Sequence, residues 1–168
     1  MAYAVIRTDN MDGTDVRAQL VSVEYMGSDG ETATDIENGH VVLLNGLMED
    51  EREIFIGTDV ASDSDLRDVV LIASPEVLYD DTKYSIDDFI NEAGKPARGY
   101  RLHYGATFSV TEDALTTSLD EIAVDNIVEL ADGTQFNVTD TATGTQVGVI
   151  EAIETSGRFT FYTIRVTE

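Results

Sequence analysis

Two histidines, His40 and His103, are the only imidazoles in the sequence. A general base needs a nucleophile, an orienting partner or a metal beside it, and no such motif accompanies either one. The sequence contains no Gly-rich phosphate loop, no dinucleotide fingerprint, no nucleophile elbow and no paired-His zinc motif. It has no cysteine, which excludes thiolate nucleophiles, disulfides and thiolate metal sites. Its 33 Asp and Glu residues guarantee neighbouring carboxylates. A glycosidase pair, however, needs a set separation across a cleft, and acids at this density describe a solvated surface. Both histidines therefore read as solvated or hydrogen-bonded structural residues. No enzyme activity and no cofactor are expected.

Two clusters offer hard oxygen ligands. Asp9, Asp12 and Asp15 surround Gly13, which suits Ca²⁺ chemically but departs from the twelve-residue loop with alternating ligands and a distal Glu. Asp63, Asp65 and Asp68 form the other. A polar turn accounts for either, so no metal site is assigned, and Asp9, Asp12 and Asp15 stand as the Ca²⁺ candidates. Asn137-Val138-Thr139 matches a glycosylation sequon, which matters only in a eukaryotic secretory route.

One stretch breaks the acidic trend. Asp and Glu are missing from residues 94–110, where Lys95, Arg98, Arg101 and His103 lie. Local neutralisation of the protein's own acids explains it, and so does a contact patch, since Arg and Tyr favour interfaces. Elsewhere the balance is 10 Lys and Arg against 33 acids, a formal net charge of -23. Such a surface repels nucleic acid and anionic membranes, which require cations to neutralise phosphate. A high-salt source is a further explanation, as only Lys83 and Lys95 are lysines. No apolar run approaches the ~20 residues of a membrane span. The opening residues 1–7 lack the basic start and long apolar stretch of a signal peptide, so simple secretion is not expected.

The elements that must position these residues are mostly strands. Val21, Val23 and Tyr25 alternate with Ser22 and Glu24. Val41-Val42-Leu43-Leu44 and Val69-Val70-Leu71-Ile72 are continuous β-branched runs bounded by turn signals, and residues 53–57 form another strand. Ser85 with Asp88, then Ile86, Phe89 and Ile90 before Gly94 and Pro96, predict a short helix over residues 85–93. A second helical turn is expected within 111–123. Residues 126–131, 134–139, 146–154 and 158–167 read as a C-terminal β-meander, with Asp132-Gly133 as a hairpin signal. Phe159 and Phe161 share one face while Tyr162, Ile164 and Val166 share the other. That switch predicts a bulge or a strand buried on both faces. The expected fold is mainly β: an antiparallel barrel or sandwich with one or two short helices. Residues 1–20 are an N-terminal arm or a first strand, 21–115 a β-rich main domain, and 116–168 the meander, with a second small barrel as its alternative form.

Several runs are similar to a known family: residues 69–80 (VVLIASPEVLYD), residues 89–102 (FINEAGKPARGYRL) followed by residues 105–111 (GATFSVT), the opening residues 1–8 (MAYAVIRT) and residues 37–42 (ENGHVV). Together they resemble head decoration, or cement, proteins of tailed bacteriophages and prophages of Gram-positive bacteria. The resemblance covers most of residues 1–115. It implies a β-rich, non-enzymatic virion protein on the outer capsid surface, made in the host cytoplasm. Its partner would be the major capsid protein, with a homo-oligomer, a trimer ahead of a monomer, and neither nucleic acid nor membrane. Some members use an extended terminal arm. The contact residues expected here are Tyr3, Val5, Ile6 and Arg7 on the N-terminal segment, where strand addition suits the apolar sequence, and Lys95, Arg98 and Arg101. The competing readings are a phage or surface module recognising carbohydrate or host protein, an acidic DNA-mimicking inhibitor, and, last, an enzyme.

Overall fold

The computed structural model describes residues 3–10, 19–78 and 85–168, with residues 8–10 described by backbone alone. The chain is mainly β, with two mixed, mostly antiparallel sheets and no α-helix among the described residues. In chain order the first strands are β1 (Ile6–Asn10), β2 (Leu20–Tyr25), β3 (Val41–Leu47), β4 (Ile54–Thr58), β5 (Val69–Ile72) and β6 (Ala97–Arg101). They are followed by β7 (Thr107–Val110), β8 (Leu115–Thr117), β9 (Ile127–Leu130), β10 (Phe136–Thr139), β11 (Gln146–Ser156) and β12 (Phe159–Val166).

One sheet closes into a barrel in the order β2-β4-β3-β5-β6, with β6 pairing back to β2. Only β2 and β4 run parallel within it. Strand alternation points Val23, Val42, Val70, Ile72 and Ala97 into the barrel, with Val21, Leu44 and Phe55 packed against them. Five strands leave little room, and two inward positions are glycine. A Cβ on Gly57 would lie 2.6 Å from Val23 Cγ1, and one on Gly99 would lie 3.0 Å from Val21 and Val70 methyls.

The other sheet has seven strands in the order β1-β7-β12-β11-β9-β10-β8, with only β10 and β8 parallel. Its inner face carries Ile6, Phe108, Val110, Val128, Leu130, Phe136, Val138, Ile150, Ile164 and Val166. These pack against Val41, Leu43, Val69, Leu71 and Tyr100 on the barrel's outer wall, forming the larger core. Phe108 and Phe136 meet there with ring centroids 5.7 Å apart; burying each is worth roughly 1.5–3 kcal/mol. Backbone bonds also sew the two sheets together: Val60 and Gly133 exchange a pair, and Val41 N–H donates to Thr134 O at 2.7 Å.

Several expectations need correction. The helix over 85–93 is a single 3₁₀ turn, Ile86–Asp88. The local signal is present, since Ser85 N–H donates to Asp88 Oδ2 at 3.0 Å. Phe89 then turns extended (ψ 135°) because Asn91 exchanges backbone hydrogen bonds with Ile36, which an α-helix would forbid. Within 111–123 the helical turn is likewise 3₁₀, Glu112–Ala114, and β8 follows directly. The C-terminal strands are adjacent but are not ordered as a simple meander, because β11 returns to pair with β9 instead of β10. Nor do they close a second barrel: they extend the sheet that β1 and β7 begin. The parity switch in β12 coincides with a register shift on its partner β11, between Ile150 and Ala152. β12 itself buries Thr163 and Ile164 on opposite faces.

Candidate functional site

The N-terminal segment belongs to the protein's own fold. Val5 N–H donates to Thr111 Oγ1 at 2.9 Å, and Thr111 N–H donates back to Val5 O. Val5 is 2 % exposed and Ile6 6 %. As contact residues these two are corrected to core residues, because their side chains are already packed. Tyr3 is half-buried, its N–H donating to Asp87 O at 3.2 Å. Arg7 reaches across the sheet's outer face to Glu154 Oε2 at 3.1 Å, with its guanidinium 4.8 Å from the Phe161 ring centroid.

The basic patch divides. Lys95 pairs with Glu92 Oε2 at 2.5 Å on an exposed turn. It lines a cleft with Pro75, Val77, Phe89 and Pro96. Arg98 and Arg101 line a different groove of about 700 Å³ on the barrel wall, shared with Leu20, Ser22, Glu53 and Phe55. Arg101 Nη1 donates to Arg67 O at 2.8 Å. Arg98 is exposed, and its guanidinium makes no ion pair with a described residue. Most other described cations meet a carboxylate: Arg7 with Glu154, Arg67 with Asp65, Lys95 with Glu92, Arg158 with Asp87 and Arg165 with Glu151.

The histidines are placed differently from one another. His40 sits at the seam between barrel and sheet, where its Nδ1 shares a hydrogen bond with Thr134 Oγ1 at 2.9 Å. Glu37 Oε2 lies 3.8 Å from Nε2. Burial pushes the imidazole below its ordinary pKa, although Glu37 and Asp113 pull the other way. His103 lies between β6 and β7.

Among the described residues, no three His, Cys, Asp or Glu side chains are placed to hold a metal ion. Asp12 and Asp15 lie outside the described residues, and Asp9 is described only as backbone of β1. Asp65 instead caps a 3₁₀ turn, accepting from Arg67 N–H at 3.0 Å. The sequon amide of Asn137 is engaged, donating to Glu129 Oε1 at 2.8 Å.

Sequence reasoning missed two features. Glu129 is an acid in the apolar run Ile127-Val128-Glu129-Leu130 and is only 2 % exposed. It accepts from the backbone N–H groups of Thr143 and Gly144. The apolar run Ile54-Phe55-Ile56 signals the other: Phe55 packs on the barrel interior, while Ile54 and Ile56 point away and belong to neither core cluster of the described residues. No protein-family model, curated protein or solved structure matches this chain.

Proposed function

We propose that this chain is a non-enzymatic structural protein of a tailed-phage virion, binding the outer surface of the capsid and stabilising the shell. The observation that carries the reading is the barrel groove. In a chain of net charge -23, Arg98 and Arg101 make no ion pair with a described residue, and both line a groove beside half-buried apolar side chains, with Glu53 the one acid among its lining residues. Arginine next to apolar surface is how protein interfaces are anchored. The acidic remainder suits a face turned to solvent and disfavours a position against the genome. The family resemblance supplies the partner, the major capsid protein, and the trimer as the preferred oligomer.

The test mixes purified protein with undecorated heads of its own phage. Saturable occupancy, read by sedimentation and imaging, and increased resistance of the heads to mechanical or thermal rupture are expected. Absence of binding, or density on the inner wall of the shell, overturns the reading.

A further inference from the structure

A closed barrel has no free edge, so a partner cannot add to it as another strand and must dock on side chains. Three of the five strands, β3, β5 and β6, spend outward residues on the seven-stranded sheet. The wall formed by β2 and β4 carries Leu20, Ile54 and Ile56, all half-buried and in neither core cluster of the described residues. Register defines a row across it. Ser22 lies opposite Ile54 on β4 and opposite Arg98 on β6. With strands ~4.8 Å apart, an apolar residue, a small one and a cation stand side by side. Ser22 forms the dip, since the groove of about 700 Å³ and its neighbour of about 470 Å³ both include Ser22, Glu53 and Pro96.

We infer that this wall is the docking site for an extended, acid-bearing segment of the capsid subunit. The segment sets a carboxylate against Arg98 and Arg101 and an apolar side chain against Leu20, Ile54 and Ile56. The inference rests on the capsid-binding reading above. Charge gives the direction: Asp50, Glu51 and Glu53 outnumber Arg52 in the neighbouring groove, whereas Arg98 and Arg101 outnumber Glu53 at the β6 end, so the acid faces β6. A second copy of this chain is the competing occupant, and the crosslinking test below separates the two.

The absence of cysteine makes the test clean. A Ser22→Cys variant carrying a photo-crosslinker is bound to undecorated heads and irradiated, with Ser156→Cys at the end of β11 as control. The expected product from Ser22→Cys is a capsid-subunit peptide containing Asp or Glu. The Arg98→Glu/Arg101→Glu variant should bind heads roughly tenfold more weakly, most of all at low salt. Ile54→Ser should also weaken binding, and circular dichroism should show both variants folded. Equal binding by these variants, or crosslinks to another copy of this chain, overturns the docking site and leaves the capsid reading standing. If the unaltered protein fails to bind heads, the capsid reading falls. The groove is then judged with a fluorescent peptide of alternating Val and Glu against its Gln counterpart. Saturable binding of the Glu peptide alone, lost in the double variant, supports the groove, and no binding overturns it.

Discussion

Glu129 offers the sharpest test of how the sheet is held. Its Oε2 accepts from Thr143 N–H at 2.7 Å and Gly144 N–H at 2.8 Å. Its Oε1 accepts from Asn137 Nδ2 at 2.8 Å and Thr143 Oγ1 at 3.2 Å. Alanine leaves the two backbone donors of the turn before β11 without their carboxylate. Hydrogen bonds to a charged group are worth about 1.5–3 kcal/mol each, and relief of the buried charge offsets part of that. A net loss of roughly 2–4 kcal/mol is therefore expected. Glutamine should cost less. Its carbonyl can keep the two N–H donors, and Asn137 can turn its amide to accept from the new NH₂. The pH dependence gives the second readout. Burial resists ionisation of Glu129, but the N–H groups of Gly144 and Thr143, then Asn137 and the Thr143 hydroxyl, outweigh it and hold the carboxyl below its ordinary range. A depressed folded value means stability that is present above the unfolded pKa and lost as pH falls through the folded one. The gap between the unaltered protein and Glu129→Gln should thus narrow below about pH 4.5. Urea unfolding at neutral and acid pH measures both quantities. An alanine penalty under about 1 kcal/mol, or a gap independent of pH, would refute the reasoning.

Gly57→Ala should destabilise the barrel by about 1–3 kcal/mol through overpacking against Val23 and Val42. A thermal melt unchanged from the unaltered protein would contradict that. His40 resists protonation when folded. As pH drops below the ordinary value of 6.5, the unfolded state gains its proton first, and stability falls until the lower folded value is passed. His40→Asn should lose less over that window, as read from urea midpoints. Of the two Asn-Gly pairs, Asn45 should deamidate first on alkaline storage, by attack of Gly46 N on Asn45 Cγ with loss of ammonia. Asn45 is exposed with a single side-chain bond to Thr58, whereas Asn38 is 2 % exposed and its amide bonds Ser74, Glu76 and Asn91. Peptide mapping by mass spectrometry distinguishes the two sites.

The strands were legible where burial is two-sided. Val41-Val42-Leu43-Leu44 and Val69-Val70-Leu71-Ile72 are continuous apolar runs because one face fills the barrel and the other meets the sheet. The Asp132-Gly133 turn was legible for a local reason too: Gly133 has a positive φ. The helix was misread because Ser85 and Asp88 set only one turn, and the Ile36–Asn91 pairing then decides the backbone. Strand partners were illegible. Nothing local tells β11 to choose β9 over β10, or β2 to run parallel to β4, since both choices depend on residues distant in sequence. Arg98 and Arg101 were visible as a basic run, but their separation from Lys95 depends on which groove each faces.

The strand order sets a timetable for synthesis. β1 belongs to a sheet whose remaining strands all come after the barrel, and Val5 binds Thr111, 106 positions away. At ribosomal speeds of about 5–20 residues per second, that interval lasts roughly 5–20 s. Strands β2 to β6 can close on one another during it, while Val5 and Ile6 wait without Thr111 and the β7 backbone they will pair with. During that interval the nascent protein carries an apolar, strand-forming sequence ahead of a barrel whose strands have all been made. Chaperone capture or mispairing between neighbouring nascent chains would act at that segment, and arrival of β7 ends the exposure.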